Sequence, residues 1–228
     1  LLTALGKSVR LVNPSAAPEN LRGIPGWEHI EVFNADLHEQ AFASAEAIIV
    51  LDGNSPLRMR GMESAIVRSP AFKMVIDHHR APVKFADVYA IDTDACSTAE
   101  MIYRLVCLFE RRNNANYCAH DLACALYTGI MTDTGNFRFP RTTADVHRII
   151  ARLIESGVDP SVVYDGVYNQ NPLERSRLLG RALSSMELHF DGEFCVMTIT
   201  RQTMQESGLA VEHIDGFVEQ TLNVKGVC

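Results

Sequence analysis

The sequence predicts an α/β fold: a mainly parallel sheet flanked by helices, then a connector helix, then the start of a smaller α+β second domain. Two apolar runs of strand length, residues 47–51 and 72–76, alternate with helix-like segments, and each ends directly in polar residues. A continuous apolar run is the pattern of a strand covered on both faces, as in parallel sheets. After residue 188 the texture changes, and Asp191-Gly192 gives a hairpin signal. The boundaries drawn from this are 1–170, a connector helix at 171–188, and 189–228.

The chain opens Leu1-Leu2-Thr3-Ala4-Leu5-Gly6, which reads as the last turns of a helix stopped by Gly6. Residues 9–12 form a short strand, and 13–25, rich in Pro, Asn and Ala, form a loop. A short helix ends at Ala45. The strand 47–51 runs into Asp52-Gly53-Asn54-Ser55. A helix over 59–68 is closed by Ser69-Pro70, and the strand 72–76 ends at Asp77-His78-His79. A third strand covers 87–91. Ser97 or Thr98 caps the next helix, with Glu100 in its first turn. Residues 121–131 are apolar and helical and lead into Thr132-Asp133-Thr134-Gly135. Thr142 or Thr143 caps a helix ending at Gly157. Asn171-Pro172 starts a long amphipathic helix over 173–188, and a strand covers 193–200.

The chain has 228 residues, 47% apolar and 21% charged, which is globular composition. Its net charge of −7 argues against coating duplex DNA. No apolar run approaches membrane-spanning length, and no signal peptide pattern is present. The six cysteines lack CxxC spacing and read as free thiols of a reducing cytosol, so a cytoplasmic location is expected.

Asp52 and the Asp77-His78-His79 triplet each follow an apolar strand, and ligands of open α/β sheets sit beyond the carboxyl ends of the strands. Asp133 lies in a Gly-containing turn that can face the same crevice. Carboxylates with imidazole suit a divalent metal such as Mn²⁺, and the absence of thiolates argues against structural zinc. Asp77 is placed to hold the ring of His78, and a protonated His79 is placed to meet a phosphate oxygen.

The segments 49–52, 75–79, 95–100 and 128–139, in this order, resemble the DHH phosphoesterase superfamily. The pattern Thr128-Gly129-x-x-Thr132-Asp133-Thr134-Gly135-x-Phe137-Arg138 resembles the branch of nano-RNases and 3′-phosphoadenosine 5′-phosphate phosphatases, also described as exopolyphosphatase-related. The resemblance covers essentially the whole chain. It implies that Asp52 bridges two metal ions, that His78 and Asp133 are metal ligands, and that His79 acts near the substrate phosphate with Asp77 beside it. It places Ser97 and Thr98 beside the site at a helix N-terminus, and Arg138 near a phosphate or nucleotide.

The implied activity is hydrolysis of phosphate esters of short oligoribonucleotides or small nucleotides by a hydroxide held between two Mn²⁺ ions, with Mg²⁺ or Co²⁺ as alternatives. The partners implied are short single-stranded RNA or small phosphorylated nucleotides, with neither duplex DNA nor membrane, and a homodimer left open. Rival readings are a single-strand exonuclease, a pyrophosphatase or polyphosphatase, and a catalytically dead nucleotide-binding domain. The family's first motif, His-x-Asn-Pro-Asp-x-Asp, is expected before Leu1 and its Gly-Gly-Gly-His segment beyond Cys228. On this reading 1–170 is the phosphoesterase domain without its first motif, 189–228 begins the substrate-binding domain, and the chain is expected to be inactive alone.

Overall fold

The computed structural model describes residues 1–227; Cys228, one of the six cysteines, lies outside the described residues. The chain divides into two compact units, Leu1–Val167 and Tyr168–Cys228.

In the first unit, β1 (Leu11–Asn13) pairs in parallel with β2 (Ile30–Val32), a strand that the sequence reading passed over. Between β2 and the main sheet lies α1 (Ala35–Ser44), whose cap Asn34 accepts a hydrogen bond from the Asp36 amide. The main sheet is three parallel strands in the order β3 (Ala47–Leu51), β4 (Phe72–Asp77), β5 (Val88–Ile91). Five further helices follow the chain: α2 (Glu63–Arg68), α3 (Thr98–Asn113), α4 (His120–Asp133), α5 (Ala144–Glu155) and α6 (Pro160–Tyr168). Parallel neighbours need crossovers, and α2 supplies the one between β3 and β4. Ile48, Met59, Met62, Ile66 and Ala71 form a buried cluster between sheet and helices, closed by Phe33, Phe42 and Val50.

The strands are not covered on both faces. Register puts Ile49, Met74 and Val88 on one face, and Ile49 and Val88 are about 40% exposed, as is Phe72 on the same face at 47%. Their neighbours Ile48 and Val75, on the opposite face, are buried. A uniformly apolar run carries no alternation, so the sequence could not tell which face this chain covers.

Other boundaries also differ from the sequence reading. The first strand is 11–13, not 9–12. The helix expected over 59–68 is broken into a 3₁₀ turn, Pro56–Met59, and α2, because Arg60 and Gly61 take positive φ of 25° and 84°.

In the second unit, α7 (Leu173–Ser184) stops short of residue 188. The Ser185 hydroxyl donates to the Thr198 carbonyl and accepts from its amide, both at 2.9 Å, which turns the chain into a hairpin. That hairpin is β6 (Glu187–His189) antiparallel to β7 (Phe194–Val196), joined through Asp191 and Gly192 with φ of 56° and 92°. The strand expected over 193–200 ends early, since Thr200 caps α8 (Arg201–Ser207). Leu178, Ala182 and Phe217 form the core of this unit. Among the described residues, no helix is long and apolar enough to cross a membrane.

Candidate metal centre

Parallel pairing of β3 with β4 sets Leu51 opposite Ile76, and the Asp52 amide donates to the Ile76 carbonyl at 3.0 Å. The two strands therefore deliver Asp52 and Asp77 side by side at their carboxyl ends. Asp52 turns the chain there with φ of 60°, a left-handed conformation that Asp tolerates better than most residues.

Asp77 is fully buried. Its Oδ1 accepts from the His79 amide at 2.9 Å and lies 2.7 Å from His79 Nδ1. Asp77 thus orients His79, and not His78 as the sequence suggested. The other carboxylate oxygen, Oδ2, is buried without a partner. His78 Nδ1 faces the Ala95 carbonyl at 3.4 Å, which leaves Nε2 toward the carboxylates. That Nε2 lies 3.6 Å from Asp52 Oδ1 and 3.6 Å from Asp133 Oδ2. His79 Nδ1 is 3.8 Å from the same Asp52 oxygen, and the two imidazole centroids are 4.5 Å apart.

Asp133 reaches the cluster from the end of α4. Gly129 allows this approach: a Cβ there would lie 2.7 Å from the Cβ of Ala99, so α4 packs closely on the first turn of α3. Burial holds the Asp133 carboxyl above the usual carboxylate range, the Asp52 charge pushes the same way, and His78 and His79 oppose it. Asp52 and Asp133, both beside His78 Nε2, repel each other unless a cation lies between them.

The residues fit a divalent ion. Asp52, Asp77, His78 and His79 each offer a ligand atom within 4.8 Å of the others. Two ligands about 2.1 Å from one ion lie roughly 3 to 4 Å apart, which brackets the 3.6 Å separations. The oxygen and nitrogen donor set suits a hard or borderline ion.

The remaining expected residues separate into two groups. Thr98 joins the site: its hydroxyl donates to Asp52 Oδ1 at 2.7 Å. Ser97 is fully buried, and its hydroxyl accepts from the Glu100 amide at 3.1 Å as the cap of α3. It serves the helix instead of facing a ligand. Glu100, buried beneath, accepts from the Cys96 amide at 2.7 Å and completes the helix start. Arg138 curls back on its own loop, with Nε donating to the Gly135 carbonyl at 3.0 Å and the guanidinium 5.9 Å from the Phe139 ring. Burial above all pushes the Cys96 thiol up to about 12.

Asn54 escaped the sequence reading. It is buried, and its Nδ2 donates to the carbonyls of His79 and Arg80 at 3.2 and 2.9 Å, clamping the chain after the triplet. In sequence it looked like one more turn residue. A cavity of about 320 Å³ opens beside the cluster, lined by His78, Cys96, Asp133, Thr134, Phe139, Pro140 and Arg141. Neither Phe139, the end of the 128–139 segment, nor Arg141 was expected from the sequence to line the site.

A parallel sheet with an Asp/His cluster at its strand ends, approached by a helix-end aspartate, makes this unit an α/β domain with a candidate metal centre. The DHH family's N-terminal domain matches residues 3–130, and the chain belongs to the DHH family. It is 32% identical over 225 residues to the bifunctional oligoribonuclease and PAP phosphatase NrnA of Thermus thermophilus, a match covering 99% of this chain and 62% of that protein. The protein of the same name from Bacillus subtilis is 29% identical over 159 residues, 70% of this chain and 50% of that one. A solved exopolyphosphatase-related protein from Bacteroides fragilis superposes with a TM-score of 0.93 at 29% identity, over 100% of this chain and 66% of that one. The chain therefore spans less than two thirds of each of these three proteins.

Proposed function

We propose that this chain is the metal-binding part of a phosphohydrolase that cleaves phosphate esters of short oligoribonucleotides or of small nucleotides such as 3′-phosphoadenosine 5′-phosphate. The observation that carries the reading is the convergence of Asp52 and Asp133, from separate stretches, on His78 Nε2, each with a carboxylate oxygen 3.6 Å from it, a spacing suited to ligands of a shared divalent ion. The names of the relatives point to the same substrate class.

Asp52, His78 and Asp133 would hold the metal, with Mn²⁺ the favoured ion and Mg²⁺ or Co²⁺ as substitutes. When bound, divalent ions supply positive charge to the phosphoryl oxygens and an acidified water as nucleophile. Thr98 fixes the Asp52 carboxylate through its hydroxyl. Asp77 takes the Nδ1 proton side of His79, so Nε2 is the nitrogen left to give a hydrogen bond or proton to a phosphoryl oxygen. The strand ends and the first turn of α3 form one polar rim around the reacting phosphate. Residues 189–228 would begin the domain that grips the rest of the substrate, with α7 as the connector leading into it. The five described cysteines are all free thiols, which supports a cytoplasmic setting.

The test uses the full-length gene product with Mn²⁺, Mg²⁺ or Co²⁺ and a panel of ribodinucleotides, 3′-phosphoadenosine 5′-phosphate and pyrophosphate. Ester hydrolysis that is lost in Asp52→Asn is expected. Failure to cleave any ester with any of the three ions would refute the proposal, and cleavage of pyrophosphate alone would move the protein to the pyrophosphatase reading.

A further inference from the structure

The loop that follows Asp133 is built at a conformational cost. Gly135, Asn136 and Phe137 are consecutive residues with φ of 55°, 58° and 65°. A bulky side chain such as Phe137 rarely adopts this region, so the surroundings must over-determine it. Thr134, almost fully buried, does so: its hydroxyl accepts from the Phe137 amide at 3.0 Å, and its carbonyl accepts from the Arg138 and Phe139 amides at 2.9 and 3.0 Å. The Phe137 ring is wedged between Tyr127 and His147, with centroids 6.0 and 5.9 Å away.

This construction positions one exposed ring. A Cβ on Gly135 would come within 2.6 to 2.9 Å of three Phe139 ring atoms, so only glycine lets that ring lie against the loop. Phe139 is nevertheless 42% exposed, and it lines the cavity that His78 and Asp133 share. Core packing does not account for an aromatic face held open beside a metal centre. The cavity, about 320 Å³, has the size of a small-molecule site. The lining combines His78 and Asp133 of the cluster with Phe139 and Pro140, and Arg141 adds a cation.

We propose that this cavity seats the nucleoside of the substrate: the base stacks on Phe139 while Arg141 meets a second phosphate of the same nucleotide. The assignment rests on the phosphohydrolase reading and deepens it. Inorganic phosphate and pyrophosphate have no use for an aromatic wall. A ribonucleotide carrying one phosphate for the metal centre and another within reach of Arg141 uses every part of the lining. Base stacking on aromatic side chains is indifferent to base identity, so the site would accept any of the four bases.

The test measures binding to the 228-residue chain without metal, by calorimetry, using AMP, ribose 5-phosphate and 3′-phosphoadenosine 5′-phosphate. AMP is expected to bind about thirtyfold more tightly than ribose 5-phosphate, the middle of the range for one stacked base. Phe139→Ala should remove that advantage and leave ribose 5-phosphate unchanged, while Phe139→Trp should keep it, which separates stacking from a folding defect. Arg141→Ala should erase the gain of 3′-phosphoadenosine 5′-phosphate over AMP. Equal affinity for AMP and ribose 5-phosphate, or unchanged AMP affinity in Phe139→Ala, would overturn the assignment. If the nucleotide affinities behave as expected but the full-length product hydrolyses no ester, the enzyme reading falls and the nucleotide seat stands. Hydrolysis of dinucleotides with the same KM in Phe139→Ala would overturn the seat alone.

Discussion

Replacing Asn54 tests how the site is held together. Its side-chain amide donates to two backbone carbonyls, those of His79 and Arg80, from a position only 3% exposed. In Asn54→Ala both carbonyls lose their donor. At about 0.5–1.5 kcal/mol net for each bond, the loss is about 1–3 kcal/mol. With a urea slope of about 2 kcal/mol per molar, the unfolding midpoint should fall by about 0.5–1.5 M. The single tryptophan, Trp27, lies in the same unit as Asn54 and reports its unfolding by fluorescence. Asn54→Asp should be worse than alanine, because a carboxylate would then face two carbonyl oxygens. Mn²⁺ affinity should fall in both variants, since the freed chain directly follows His78. A midpoint within about 0.2 M of the parent in both variants would show that the clamp does not hold the loop.

Ser97→Ala should cost about 1 kcal/mol of stability in the same urea assay, the usual loss for a helix cap; no shift would mean that the hydroxyl does not cap α3. Glu31 gives a pH signature. The Arg10 guanidinium bonded to it lowers its carboxyl from 4.5 to about 2, with His38 adding to the effect. A depressed folded value means that the stabilisation is complete above about pH 4.5 and fades as pH falls toward 2. The stability gap between the parent and Glu31→Gln should therefore be constant from pH 7 to 5 and close at lower pH. A gap that widens on acidification would contradict the assigned network.

Much of the site was legible because its chemistry is written in local sequence. Apolar runs that end in Asp52 and in Asp77-His78-His79 announce strands that deliver polar groups at their carboxyl ends. Hydrogen-bond direction was not legible. Ser97 and Thr98 are adjacent and chemically alike, yet one hydroxyl turns into the helix and the other reaches Asp52, because successive residues at a helix start point in different directions. Asp77 serves His79 instead of His78 for a similar reason: alternation along the strand sends neighbouring side chains apart. The covered face of the sheet was hidden too, since Ile48 and Ile49 look the same in sequence and differ only in what packs on them.

The order of strands, helices and titratable side chains is fixed by propensity and hydrophobic pattern along the chain, so the sequence by itself determined the α/β class, the three stretches that hold Asp52, His78 and Asp133, and the hairpin at Asp191-Gly192. The tertiary structure alone decided which oxygen meets which nitrogen, that Asn54 clamps the loop, and that Phe139 stands open beside the Asp/His cluster. Those outcomes depend on distances between residues far apart in sequence, such as the 3.6 Å from His78 to Asp133, and only the packing of α4 on α3 and of β3 on β4 sets them.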